Sequence, residues 1–179
     1  MFRYLRWAQR EHPLGVRIAT SLLAGSVFLI LLPFVIVAGG RSLDWLIGLD
    51  SIGIGWLNYT LGGLMVIAGL SFGFWSILAQ ITRGRGTPLP MMPTQELLTD
   101  GPFRYCRNPM TLGTILAYTG IGVVAGTIAG ICLALGFGLL LVVYLKRIEE
   151  RELTERFGEA YLAYKREVPF IIPRRPKLK

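Results

Sequence analysis

The residues best suited to chemistry lie in two polar clusters at the ends of one uncharged run. Residues 99–111 read TDGPFRYCRNPMT, and residues 147–152 read RIEERE. In the first cluster, Arg104, Arg107 and Asn108 carry donors that suit a carboxylate or phosphate. Gly101 and Pro102 make a tight turn that exposes backbone groups, and Phe103 and Tyr105 supply flat rings for stacking. In the second, Glu149 and Glu150 carry acceptors for an ammonium group or ribose hydroxyls, and Arg147 adds a cationic fork. Taken singly, these charges need no ligand: arginines at a membrane boundary set topology, and glutamates near a helix start complement its dipole. A site arises only if the clusters are brought side by side.

The composition narrows the chemistry. Hydrophobic residues make up 53% of the 179 residues, and the mean hydropathy is +0.52, both pointing to a bilayer. The net charge of +8 comes from basic residues that flank apolar runs and form no continuous stripe. That pattern fits anionic membrane lipids and not nucleic acid. One histidine, His12, and two cysteines, Cys106 and Cys132, leave no metal site, no Ser/His/Asp triad and no disulfide framework. Both cysteines read as free thiols.

The elements that must position the clusters follow from the hydropathy. An all-α polytopic membrane protein with four transmembrane helices is expected, forming a single domain over residues 1–179. It divides into an N-terminal tail with two spans, 1–81, and a loop, hairpin and C-terminal helix, 82–179. The tail at 1–17 alternates arginines with aromatic and apolar residues, as an interfacial helix or topology signal does. Span one is placed at 18–37, followed by an outer interfacial loop at 38–55. Span two is placed at 56–81, where Gly69 and Gly73 have the four-residue spacing of a close helix contact.

The connection at 82–108 carries Pro88, Pro90 and Pro93 in its middle, followed by the first polar cluster. The uncharged run 110–145 would extend roughly 54 Å as one helix at 1.5 Å per residue, far beyond a hydrocarbon core of about 30 Å. It must therefore fold back near 125–127, giving spans at 110–124 and 128–145. Gly120, Gly122, Gly126 and Gly130 supply the turn and the tight packing. Beyond Lys146, Ile148, Leu153, Phe157, Tyr161 and Tyr164 recur at helical spacing among charges, predicting an interfacial helix that Gly158 bends. Lysine and arginine concentrate in the tail, in the 82–108 loop and after the hairpin. Both termini and both polar clusters are therefore expected on the cytoplasmic side of the cytoplasmic membrane.

The order GTPLP, LLTDGPFRYCRNPM, an uncharged hairpin, then EERELTERFGEAYLAYKREVPFIIP resembles the superfamily of isoprenylcysteine carboxyl methyltransferases and phospholipid methyltransferases. These are integral membrane enzymes, and the resemblance covers roughly residues 83–173 of this chain. It implies S-adenosylmethionine as cofactor, bound on the cytosolic side between the segment before the hairpin and the helix after it, with a lipophilic small molecule or lipid arriving through the bilayer. The resemblance places Gln95, Glu96, Leu97, Leu98, Phe103 and Arg107 along the cofactor. Asn108, Pro109, Met110 and Thr111 match the family's His-Pro-x-Tyr contact, Glu150 the glutamate that completes it, and Arg147, slightly displaced, its arginine. Asn108 replaces a histidine, so this position can bind but cannot titrate.

The implied activity is methyl transfer to a lipophilic carboxylate or thiol, with Arg147 and Glu150 at the reacting centre. Such a displacement needs positioning and a dry site more than acid–base machinery. Two alternatives stay open: phospholipid N-methylation, which wants a base such as Glu149, and a non-catalytic membrane protein that kept the fold. Neither the acceptor nor the oligomeric state follows from the sequence.

Overall fold

A computed structural model of the chain describes residues 13–53, 55–87 and 93–175, and every regular element among them is helical. Most of the arginine-rich tail, with His12, and the prolines at 88 and 90 lie outside the described residues. Among the described residues, three helical stretches are long and apolar enough to cross a membrane: Leu14–Ile47, Trp56–Thr82 and Ile128–Glu167, the last apolar only in its first half. The helix Pro109–Ala125 is apolar but shorter. We label Leu14–Ile47 α1, Trp56–Thr82 α2, Pro109–Ala125 α3, Ile128–Tyr144 α4 and Glu150–Glu167 α5. A single wide turn, Leu145–Glu149, links α4 to α5 without a break.

The first helix differs from the sequence expectation. It does not stop near residue 37 but continues to Ile47, where Gly48 takes the left-handed conformation (φ 70°) that ends it. Two wide turns, Val27–Leu31 and Val35–Gly39, flank Pro33, whose missing amide falls at the register change where the helical ladder is already interrupted. Asp44, read as a loop acid, is 6% exposed and accepts a hydrogen bond from the Ala129 amide at the start of α4 (2.9 Å). A carboxylate can stay inside an apolar helix when another helix's unpaired N-terminal amides satisfy it. We expect Asp44→Ala to destabilise the protein by about 1 kcal/mol, the usual cost of a lost helix cap, seen as a lower unfolding temperature in detergent. Asp44→Asn should recover most of it, since its amide oxygen still accepts.

Three hydroxyls of α2 fold back on their own helix: Thr60 donates to Trp56 O, Ser76 to Phe72 O and Thr82 to Leu78 O. This leaves no polar atom of these side chains to face lipid unpaired. Its contact with α3 is made by glycines. A Cβ on Gly69 would lie 2.5 Å from Gly113 O and Ala117 N, and one on Gly62 2.7 Å from Gly120 O. The predicted close-contact face is therefore used within the molecule. The turn between α3 and α4 falls at Gly126 (φ 66°) and Thr127, whose hydroxyl accepts from Gly130 N at 3.0 Å. Ile36, Ala117, Tyr118 and Ala134 form the core, with Phe28 and Phe137 against them. Tyr118 donates its hydroxyl to Phe28 O (2.5 Å), within the wide turn that loosens the backbone ladder there.

Candidate functional site

The first polar cluster is shaped by its turn. Asp100 is extended, Gly101 takes φ 56°, and the guanidinium of Arg83 sits 2.6 Å from where a Gly101 Cβ would be. An ion pair between Arg83 and Asp100 ties the start of the segment to the end of α2. After one short turn, Gly101–Arg104, Asn108 precedes Pro109, which occupies the first position of α3, where a missing amide costs nothing.

On the other side, the wide turn Leu145–Glu149 delivers Glu149 and Glu150 at the head of α5. The two clusters meet: Arg107 forms an ion pair with Glu150, their side chains only 10% and 13% exposed. Arg107 also donates to the hydroxyl of Tyr161 (3.2 Å) and, through Nε, to Val168 O (3.1 Å). The second oxygen of Glu150 accepts from Lys165 Nζ at 2.7 Å. Tyr164 donates to Phe103 O at 2.6 Å, and Arg156 donates to Thr94 O, pinning the loop at 93–98 onto α5.

These contacts bound a narrow, partly open cleft between the 93–108 segment and the head of α5. Leu97, Leu98, Phe103 and Leu153 give it apolar walls, and Arg107, Asn108, Glu149 and Glu150 its polar groups. Burial pushes the Glu149 carboxyl up to about 7, with the charges of Glu152 and Glu150 adding to the effect. Burial likewise pushes Tyr164 up and Cys106 up to about 11, so the Cys106 thiol is buried and not reactive at neutral pH. Both cysteines are free.

Of the residues expected along the cofactor, Leu97, Leu98, Phe103, Arg107, Asn108 and Glu150 line this cleft. The others are placed elsewhere. Gln95 turns its amide back to Pro93 O (2.9 Å), and Glu96 is exposed. Pro109, Met110 and Thr111 start α3 and are not in the cleft wall, and Tyr105 packs its ring against Trp75. Arg147, expected at the reacting centre, is exposed and outside the cleft, and the cation facing it is Arg107. The reason is the wide turn, which breaks the 3.6-residue register at that point. Gln80, Thr94, Leu145, Tyr161 and Tyr164 line the cleft without having been singled out for it. For the tyrosines the available signal was their i, i+3 spacing on the apolar face of α5.

With this geometry in place, a family model described as phospholipid methyltransferase matches residues 57–160, from α2 through the Arg107–Glu150 pair and into α5. The chain belongs to the phospholipid methyltransferase family. Among curated proteins, Methanethiol S-methyltransferase 2 of Bradyrhizobium diazoefficiens is 27% identical over 178 residues, covering 96% of this chain and 65% of that protein. This family member thus spans somewhat less than two thirds of its curated relative. No solved structure matches it.

Proposed function

We propose that the protein is an S-adenosylmethionine-dependent membrane methyltransferase that methylates a lipophilic acceptor, a thiol in preference to a carboxylate. The observation that carries this reading is the meeting of Arg107 and Asn108 with Glu149 and Glu150 in one cleft, in a chain of this family. The donor set suits the cofactor: two glutamates for its cationic amino and sulfonium groups, Asn108 for its carboxylate, and Phe103 for a flat base. When bound, S-adenosylmethionine supplies an electrophilic methyl group on a positively charged sulfur. Glu150 holds the ammonium end, and the apolar walls keep water from the reacting centre.

The thiol is favoured because Glu149 is half-buried in the cleft with its carboxyl raised to about 7. A carboxylate acceptor arrives already deprotonated and needs no base. A thiol must lose its proton, and a Glu149 carboxylate oxygen would take it as the acceptor sulfur bonds to the methyl carbon; the sulfonium–methyl bond would break in the same displacement, its electron pair leaving with the cofactor as a neutral thioether. The relative is a methyltransferase of methanethiol, itself a thiol, which agrees with this choice. Phospholipid N-methylation is the second reading, favoured by the family's description and open to the same base.

In this reading the protein has four spans; α3 has 17 residues, at the lower limit of what crosses a bilayer, and α4, also 17, continues through the wide turn. Both termini and the cleft then face the cytoplasm, where the cofactor is dissolved. The deciding assay incubates purified protein with methyl-labelled S-adenosylmethionine and, separately, alkanethiols, a prenylated-cysteine carboxylate and phosphatidylethanolamine. Label in a thioether is expected; label confined to an ester or an amine overturns the choice of acceptor, and no transfer overturns the activity.

A pH dependence follows. Glu149 acts as a base only when ionised, so kcat should rise as pH increases through about 7 and then level off. Its raised value also means that the folded state binds the proton more tightly than the unfolded one, so this group's contribution to stability falls as pH rises from about 4.5 towards 7. Glu149→Gln should remove the rise in kcat and lower it by about 10²-fold or more, read from a pH–rate profile.

A further inference from the structure

Beyond α5 the chain does not leave the site. Residues 168–174 turn back and run along residues 105–108. The Arg107 amide donates to Pro169 O (2.9 Å), the Asn108 amide to Phe170 O (3.1 Å), and the Arg174 amide to Tyr105 O (3.0 Å). Side chains join in: Arg107 Nε donates to Val168 O, and Asn108 Nδ2 to Phe170 O at 3.0 Å. Phe170 thus accepts from both the backbone and the side chain of Asn108. Its ring lies under two cations, with Arg107 Cζ at 5.5 Å and Lys146 Nζ at 5.1 Å from the centroid, within reach of a cation–π attraction.

Arg107 belongs to the cluster before the uncharged run and Lys146 to the wide turn after it, so one ring lies against a cation from each of the two segments, from outside the cleft. The strap lies beyond the residues matched by the family model, which end at 160. Resting on the methyltransferase reading above, we propose that residues 168–174 form a built-in strap that braces the cleft residues Arg107 and Asn108 from behind, and that Phe170 is a positioning residue. Its ring fixes the Arg107 guanidinium so that Glu150 presents its carboxylate to the cofactor's ammonium group. Arg107 is a long side chain with several rotatable bonds. The strap removes this freedom before the cofactor arrives, and preorganisation of this kind shows as affinity.

The test uses full-length protein in detergent, with the Kd for labelled S-adenosylmethionine measured for wild type, Phe170→Leu and Phe170→Tyr. Leucine keeps the bulk without an aromatic face; tyrosine keeps the face. The leucine variant should bind on the order of tenfold more weakly, the loss expected for a partly desolvated cation–π contact, with the KM for the acceptor unchanged. The tyrosine variant should stay within about twofold of wild type, by the same argument. Amide exchange at Arg107 and Asn108 should accelerate in Phe170→Leu and not in Phe170→Tyr.

Equal affinities in all three proteins would overturn the strap while leaving the methyltransferase reading intact. Equal weakening in leucine and tyrosine variants would assign Phe170 to packing alone and also overturn the proposal. If wild type itself takes up no cofactor, the methyltransferase reading fails, and the positioning role with it.

Discussion

Glu150→Ala is expected to abolish S-adenosylmethionine binding and to weaken the fold as well. The carboxylate is divided between two cations, one oxygen on Arg107 and the other on Lys165. With Arg107 only 10% exposed, removing its partner leaves a nearly buried charge without compensation. Loss of one member of a buried ion pair costs about 3–5 kcal/mol, and the contacts of Arg107 with Tyr161 and Val168 O place this case near the lower end. Binding suffers separately, because a cleft that has lost this carboxylate and kept the charge of Arg107 disfavours the cofactor's ammonium group. Glu150→Gln keeps the shape and a hydrogen-bond acceptor but not the charge, and should bind far more weakly than wild type while folding better than alanine. Calorimetric titration with thermal unfolding in the same detergent checks both effects. A folded Glu150→Ala protein with wild-type affinity would remove Glu150 from the site.

Gly69→Leu should have the largest effect on folding. A Cβ there would lie 2.5 Å from Gly113 O and Ala117 N and 3.0 Å from Ala117 Cα, all of them backbone atoms of α3. Overpacking costs about 1–3 kcal/mol where side chains can move aside. A helix backbone cannot, so α2 and α3 must separate, and the loss should exceed that range. The site would go with it, since α2 carries Gln80 and the start of the 82–108 loop, and α3 follows directly from Asn108. Size-exclusion chromatography of fluorescently tagged protein should show aggregation for Gly69→Leu. Gly73→Ala, whose added Cβ meets nothing within 4 Å, should elute as wild type.

That pair of glycines marks one limit of sequence reading. Their four-residue spacing predicts a shared contact face, and the crossing does run past both. Only Gly69, however, points its missing side chain into the neighbouring backbone, because the direction of a Cβ depends on how the partner helix crosses. Asp44 marks another. By its charge it reads as part of an outer loop at 38–55, but it lies in a helix, its carboxylate satisfied by the amide of Ala129, 85 residues away.

By itself, the sequence determined the helical class, the place of the α3–α4 turn at Gly126 and Thr127, and the two polar segments flanking the uncharged run that meet. These follow from local rules: apolar length, glycine's access to positive φ, and the need of a long uncharged run to fold back. The tertiary structure decided which side chains face the cleft. The wide turn Leu145–Glu149 shifts the helical register, so Arg147 points outward where an uninterrupted 3.6-residue period gives no warning, and Arg107 takes the place facing Glu150. The strap at 168–174 was equally hidden, because its hydrogen bonds are made by backbone carbonyls, which every sequence possesses and no sequence pattern distinguishes.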